Sequence, residues 1–463
     1  MPLTSYSFLF IFLPIAVLLN LVTKGKHKYI LLAMLNFIFI GYLGIKHLIL
    51  ITISMLTYYY GALLVADRDN HKYRKSIFWS VIVFNVIILV FFKYKPAIIA
   101  TTQLTILEKM IAPIGISFYT FQGIAYLADV TFRDRKAEKN IIRFSAFFML
   151  FMTITSGPIL RYDEIEPQLE SPRVSNDMVY EGFIRFTIGL FKKAYLAANF
   201  GLIAAKVYEG LYHTAFFTGT AWLGSIAFML QLYLDFSGYT DMALGIGGMF
   251  GIQLPENFNY PYLASSFSDF WKRWHITLTQ WFKDYIYIPL GGNRKGVFRT
   301  YINMLIVWLI TGFWHGSTFN FIVWGLFNFI IINLERHLWG NYLKKAPQFI
   351  QHIITLLLIN IGWVFFRAGS IHQALDFLQS MLVWDLNPMG IKQLLTYVLS
   401  RPLDWILAII FCTPLVNDFI KRWNHSDKQW KQIFIGIFVI ALFVLGLIFV
   451  ITSSFKAFIY QQF

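Results

Sequence analysis

The chain has 463 residues, 57% hydrophobic and only 14% charged. Soluble globular proteins carry about 25% charged residues, so this composition excludes a soluble multidomain protein and points to a body immersed in lipid. The net charge of +15 does not indicate a nucleic-acid ligand, because the Lys and Arg residues sit in short loops between apolar runs, where cytoplasmic loops of membrane proteins concentrate them.

Apolar windows long enough to cross a hydrocarbon core of about 30 Å occur at 6–23, 29–45, 47–66, 76–95, 111–130, 141–160, 183–208, 219–250, 300–314, 317–338, 349–367, 402–420 and 432–452. Allowing for short or interrupted runs, they predict roughly 11–13 membrane helices plus interfacial or re-entrant helices, since only helices satisfy their own backbone in lipid at these lengths. No polar stretch is long enough for a separate unit, so residues 1–463 read as a single all-α, polytopic membrane domain. No basic region precedes the run 6–23, whereas Lys24, Lys26 and Lys28 follow it. That order fits a retained first span with an outside N-terminus rather than a cleaved signal.

The basic segments 24–28, 67–75 and 133–143 read as cytoplasmic, as does the loop with Lys421, Arg422, Lys428 and Lys431, which places the C-terminus outside. Lys93, Lys95 and Lys109 run against the pattern. The one cysteine, Cys412, excludes an internal disulfide or a cysteine metal site, and no metal is expected. GGNRKG (291–296) is a two-glycine turn without the residues of a phosphate loop.

Residues 267–288 place Phe267, Phe270, Trp271, Trp274, Leu278, Trp281, Phe282, Tyr285 and Ile288 on one stripe, with Asp269, Lys272, Gln280 and Lys283 opposite. This predicts an amphipathic helix in the membrane interface. His275 sits at the edge of the stripe; either its polar tip reaches the headgroups or the helix curls inward and aims the ring at a reaction chamber.

His315 is embedded in MLIVWLITGFWHGSTFNFIVWGL (304–326) between Gly312 and Gly316. Ionisable residues in such runs usually face a cavity, which makes function the default reading. A structural histidine bonded to a carbonyl, or one at the end of a hairpin turn, is the alternative. A neutral imidazole near pH 7 can take the proton of a hydroxyl nucleophile. That chemistry requires a hollow connecting the ring with both membrane faces.

Asp235 and Asp241 fall in the apolar run 231–245, an expensive placement for a carboxylate. Either could orient a histidine, pair with a buried cation, or mark a helix break near Ser237–Gly238; the break is the favoured reading for Asp241. Ser156-Gly157-Pro158 ends a span, Arg161 reads as an interface anchor, and Lys192 and Lys193 read as snorkelling to the nearer interface.

SGPILRY (156–162), QLYLDFSGYTDMALGIGGMFGIQLPENFNYPYLA (231–264), SDFWKRWHITLTQWFKDYIYIPLGGNRKG (268–296), TGFWHG (311–316) and the closing FIYQQF (458–463) resemble the membrane-bound O-acyltransferases, specifically the bacterial alginate and peptidoglycan O-acetyltransferase-like branch. The resemblance spans nearly the whole chain and is densest over 231–316. It implies a multi-pass protein of the bacterial inner membrane that uses cytoplasmic acetyl-CoA as donor, with no bound cofactor. It also implies an extracytoplasmic SGNH-type partner and an acceptor hydroxyl on alginate, another exported glycan, a secondary wall polymer or peptidoglycan. The branch's catalytic histidine maps onto His315 and its second motif histidine onto His275; Asp235 is read from its placement alone as a candidate supporting residue. Lys272, Arg273, Arg294 and Lys295 are placed to meet the CoA phosphates. Ala198 stands where that branch often carries Asp, which removes support for a functional role of the 191–200 segment. Two other readings stay open: D-alanyl transfer to teichoic acid, and a polysaccharide or lipid transporter with a histidine proton relay.

Overall fold

Seven helices among the described residues are long and apolar enough to cross a bilayer: Ile45–Ala66, Arg74–Thr102, Asn176–Gly210, Val297–His315, Phe319–Leu343, Gln348–Arg367 and Gln429–Thr452. Pro402–Phe411 and Leu415–Asn424 form an eighth, bent by 73°, and Ser7–Val22 and His27–Leu43 are shorter apolar helices. The computed structural model describes residues 2–67, 72–110, 112–210, 218–383 and 388–452, so the closing FIYQQF and the C-terminus lie outside the described residues. Among those residues there is no strand, only a single antiparallel bridge between Phe258 and Trp274.

The last long helix shows why such segments end in lipid. Ile435, Val439, Leu442 and Gly446 recur every three or four residues and pack inward, while Ile433, Ile437, Ile440, Val444 and Ile448 stay exposed. An exposed apolar face of that length is stable only against hydrocarbon.

Among the described residues the long apolar helices are fewer than the 11–13 expected: windows 6–23 and 29–45 give the shorter helices Ser7–Val22 and His27–Leu43, and three further windows also differ. Window 111–130 becomes the 17-residue helix Ile116–Phe132. Window 219–250 becomes the 33-residue helix Thr218–Phe250, which carries Gln231, Asp235 and Thr240 buried. Window 141–160 becomes the short helix Ile141–Phe148 followed by turns. These segments are apolar because protein surrounds them, and hydropathy cannot separate that from contact with lipid.

The contacts resolve into two compact units. The first comprises Met1–Phe186, Tyr239–Glu256 and Gln280–Tyr285, and the second Thr187–Gly238, Asn257–Thr279 and Ile286–Phe463. In the first unit, the end of the helix Ile141–Phe148 and the irregular backbone at 149–152 are fully buried and need internal partners. Asn36 donates to the Ala146 carbonyl (3.1 Å) and accepts from the Phe151 amide (2.9 Å), and Gln122 donates to the Phe147 carbonyl (3.0 Å). Arg161 is no interface anchor: it pairs with Asp284 and lies 5.5 Å from the Tyr285 ring. Burial opposes charge on Asp284, but hydrogen bonds from Arg161 and Gln280 outweigh it and hold its carboxyl below the usual range. Asp241 pairs with Arg185 (3.1 Å), which also binds Glu256 (2.6 Å).

In the second unit the helix through Ser237–Gly238 runs unbroken, contrary to the expected break. Gly238 serves close packing instead, since a Cβ there would lie 2.8 Å from the Gly189 carbonyl. Lys192 and Lys193 do not snorkel. They open a π-helical turn, Lys192–Ala197, with Lys193 paired to Asp235 in the interior and Lys192 buried 5.2 Å from the Tyr233 ring. The same turn sends Tyr195 to Asp404 (2.5 Å), and Asn199 joins Asp404 (3.2 Å) and Arg401 (2.6 Å).

Candidate active site

The site grows from a helical hairpin in the second unit. Val297–His315 ends at the histidine itself, the chain turns at Gly316, and Phe319–Leu334 returns alongside. Glycines permit the close return: a Cβ at Gly312 would lie 2.3 Å from the Phe321 carbonyl, and one at Gly325 would lie 2.5 Å from the Trp308 carbonyl. Gly316 admits the Phe321 ring in the same way. The glycines around His315 therefore receive the neighbouring helix and its side chains.

The imidazole of His315 is 4% exposed. It meets Trp314 (4.6 Å between centroids), Trp324 (4.9 Å, 85°), Phe366 (5.1 Å, 77°) and Phe321 (6.3 Å). The hollow expected around the ring is thus largely filled by aromatic side chains. His315 stands at the end of its helix, as the hairpin alternative foresaw, and its ring is buried; the functional reading asks in addition for a hollow open to both membrane faces.

His275 lies in the same unit, and the interfacial helix expected over 267–288 does not exist as one piece. The chain forms Phe267–Arg273, breaks at Trp274 and His275, and resumes as Ile276–Phe282. At the break His275 takes φ 45°, the left-handed region that histidine tolerates better than most side chains. Its ring turns inward to 2% exposure instead of reaching headgroups. The bulky residues of the stripe, Phe270, Trp274 and Leu278, are buried in protein.

The start of the first short helix and the break after it are each held by specific contacts. Glu335, a buried carboxylate, accepts from the amides of Phe267 (2.6 Å) and Ser268 (3.1 Å), and Ser266 caps Asp269 (3.1 Å). Residues 257–259 run antiparallel to 273–276, with Asn259 N to Arg273 O and Ile276 N to Asn257 O, both 3.0 Å. The Asn257 Oδ1 then receives the Thr277 amide (3.3 Å), the Thr277 hydroxyl (2.9 Å) and His275 Nδ1 (3.1 Å). An amide N–H only donates, so Oδ1 is an acceptor and His275 Nδ1 carries its proton. Its Nε2 is then the basic nitrogen. Burial pushes the His275 pKa down to about 3, keeping the ring neutral.

A ladder of indoles connects the two histidines. His315 meets Trp324; Trp324 lies parallel to Trp363 (6.1 Å, 16°); Trp363 meets Trp274 (5.0 Å), the residue preceding His275. Trp271 touches both Trp324 and Trp363 and donates to Asn328 (3.1 Å). On its other side His275 meets Phe236 edge-on at 4.8 Å. Asp235, the residue before Phe236, pairs with Lys193. Asp235 is paired with a buried cation, the second of the roles open to it.

The cations assigned to the donor phosphates are less unified. Lys272, Arg294 and Lys295 are exposed, the last two in the turn 291–296. Arg273 pairs with Asp269 (3.0 Å). Residues absent from the sequence reading include Asn257, Trp324, Trp363, Phe366 and Glu335. Asn257 lay inside a quoted motif, but nothing in its spacing linked it to His275. A cavity of about 290 Å³ in the first unit, lined by Tyr126, Asp129, Tyr162, Asp163 and Glu166 among others, contains none of the expected site residues.

Two buried histidines, one with a defined basic nitrogen, and a wall of indoles suit proton transfer shielded from water. A profile of the membrane-bound O-acyltransferase family matches residues 35–372. The chain belongs to that family. This O-acyltransferase is 32% identical over 490 aligned residues to a probable alginate O-acetylase of Pseudomonas putida, covering all of both chains. It is 31% identical to a peptidoglycan O-acetyltransferase of Helicobacter pylori over 98% of its own length and 96% of the relative's. A teichoic acid D-alanyltransferase of Bacillus subtilis is 26% identical over 57% of the acyltransferase and 71% of that relative. Transport as the primary activity is set aside, and the acyltransferase is a multi-pass membrane enzyme.

Proposed function

We propose that this enzyme moves an acetyl group from cytoplasmic acetyl-CoA towards hydroxyls of an extracytoplasmic polysaccharide or peptidoglycan. The single observation that supports the reading most is the pair of buried histidines joined by the indole ladder, in a chain whose full-length relatives are named for O-acetylation. Acetyl is favoured over D-alanyl because the acetylase relatives align over 98–100% of the chain and the D-alanyltransferase over 57%.

In this mechanism His315 accepts the proton of the attacking hydroxyl as its oxygen bonds to the acetyl carbon. The carbon–sulfur bond of the thioester then breaks, and the proton leaves with the CoA thiol. His275 does not polarise the donor carbonyl through Nε2, because its proton sits on Nδ1. It accepts a hydrogen bond from donor or acceptor at Nε2. Lys272, Arg273, Arg294 and Lys295 meet the CoA phosphates on the cytoplasmic side. An SGNH-type partner outside the bilayer receives the acetyl group or passes it to the polymer. The enzyme resides in the bacterial inner membrane with both termini outside.

The test is purified enzyme in lipid nanodiscs with radiolabelled acetyl-CoA, read by CoA release and label transfer to a hydroxyl acceptor. His315→Ala should lower transfer by ~10²–10⁴-fold while the protein inserts normally. Full transfer by that variant, or turnover with a D-alanyl donor alone, overturns the proposal.

A further inference from the structure

The amide of Asn257 holds the His275 ring in one tautomer while contributing no charge, and we infer that Asn257 is a positioning residue for the acyl transfer, setting which nitrogen is basic and keeping the ring neutral. The inference rests on the proposed reaction only for its kinetic consequence.

Asn257 is fully buried, and its Oδ1 serves three donors at 2.9–3.3 Å: the Thr277 amide, the Thr277 hydroxyl and His275 Nδ1. Three donors on one oxygen describe a site that a carboxylate would fill with more favourable electrostatics. The Asn257 Nδ2, by contrast, finds no acceptor among the described residues, and a buried unsatisfied donor costs about 1–3 kcal/mol. An amide here is locally inferior to Asp. Its advantage lies in what Asp would do to the neighbour: an anion on Nδ1 would stabilise the imidazolium, and Nε2 would then carry a proton as well.

Apolar residues flank the ring. Phe236 covers one face edge-on, and Trp274 and Ile276 are its chain neighbours. On the helix carrying Phe236 the preceding residue, Asp235, is paired with Lys193 of the π-helical turn, whose Lys192 lies on the Tyr233 ring. On the preceding short helix Arg273 and Asp269 are likewise paired. The segment 257–259 brings no charged side chain. The bond from Asn257 holds Nδ1 as the protonated nitrogen, and its neutrality favours an unprotonated Nε2 across the working pH range.

Two measurements test this. Enzyme labelled with ¹⁵N-histidine and embedded in lipid is examined by solid-state NMR, with His275→Asn assigning the signal by its disappearance. The expected result is a neutral ring protonated at Nδ1; protonation at Nε2 or an imidazolium at pH 7 overturns the inference whether or not acetyl transfer is detected. The second measurement is the pH–rate profile. Asn257→Asp should move the acid limb upward by roughly 1–3 units, and Asn257→Leu should lower kcat at every pH without moving the limb. An Asp variant whose profile keeps the wild-type shape, merely scaled down, reduces Asn257 to a packing role and overturns the inference. If wild type transfers no acetyl group while the Nδ1–H tautomer is seen, the proposed reaction fails and the assignment of the ring stands.

Discussion

Trp324 and Trp363 lie nearly parallel, 16° apart with centroids at 6.1 Å, and each carries one end of the site: the edge of Trp324 meets His315, and Trp363 meets Trp274 beside His275. The helices Phe319–Leu334 and Gln348–Arg367 thereby fix both imidazoles through one stacked pair. Trp324→Ala should destabilise the protein by about 3–5 kcal/mol, whereas Trp324→Phe should keep the fold and lower kcat. Thermal unfolding in detergent measured beside acetyl transfer separates the two effects; equal loss of both by the Phe variant would show that the ring matters only for packing.

The hairpin depends on the absence of side chains at Gly312 and Gly325. Gly312→Val places a carbon 2.3 Å from the Phe321 carbonyl, a backbone atom that cannot yield cheaply. We expect this variant to insert but to show increased protease cleavage near 316–318 and at least tenfold lower transfer. Wild-type protease resistance would contradict the close approach.

Asp235 and Lys193 can be tested for structure against chemistry. Removing one partner of a buried pair costs about 3–5 kcal/mol, while replacing both with apolar residues of similar size is often neutral. Asp235→Asn and Lys193→Met should each lower the unfolding temperature, and the double variant Asp235→Leu, Lys193→Met should regain most of it. A stable double variant that still transfers acetyl would show that the carboxylate has no part in catalysis.

Acid sensitivity follows from His275. Its folded pKa, about 3, lies below the ordinary value near 6.5, so the unfolded chain binds the proton more readily. The contribution of the neutral ring to stability is complete above about pH 6.5 and declines as pH falls towards 3. His275→Asn should flatten that part of the stability–pH curve. A variant with wild-type acid dependence would place the relevant titration elsewhere.

Asp284 gives a second window in acid. Its carboxyl is held below the usual range, so the Arg161 pairing is complete above about pH 4 and is lost as pH falls through the folded value. Arg161→Met should lower stability at pH 7 and remove the part of the acid transition below pH 4, as measured by urea unfolding.

Periodicity and hydropathy carried most of the spans and the burial of His315, because a glycine-flanked ring in an apolar run leaves a direct trace in sequence. The stripe over 267–288 misled for a physical reason: aromatic residues facing protein and aromatic residues facing lipid produce the same moment, and the break at His275 is held by the pairing of 273–276 with residues 257–259, a tertiary contact. Lys193 and Asp235, 42 residues apart, cancel each other's charge only once two helices meet. Asn257 and the indole ladder were invisible for the same reason, being partners defined by tertiary contact. The 149–152 segment reads as a continuation of a span, and the contacts of Asn36 and Gln122 at and before it show folded backbone within protein.

The left-handed backbone at residue 275 limits what mutation can explore there. With φ at 45°, Asn, Asp and Gly fit with little strain, whereas Val, Ile and Thr bring a branched carbon against the preceding carbonyl. A saturation library at this codon should return folded protein mainly for the first group, so tolerance at 275 records the shape of the main chain before it records anything about chemistry.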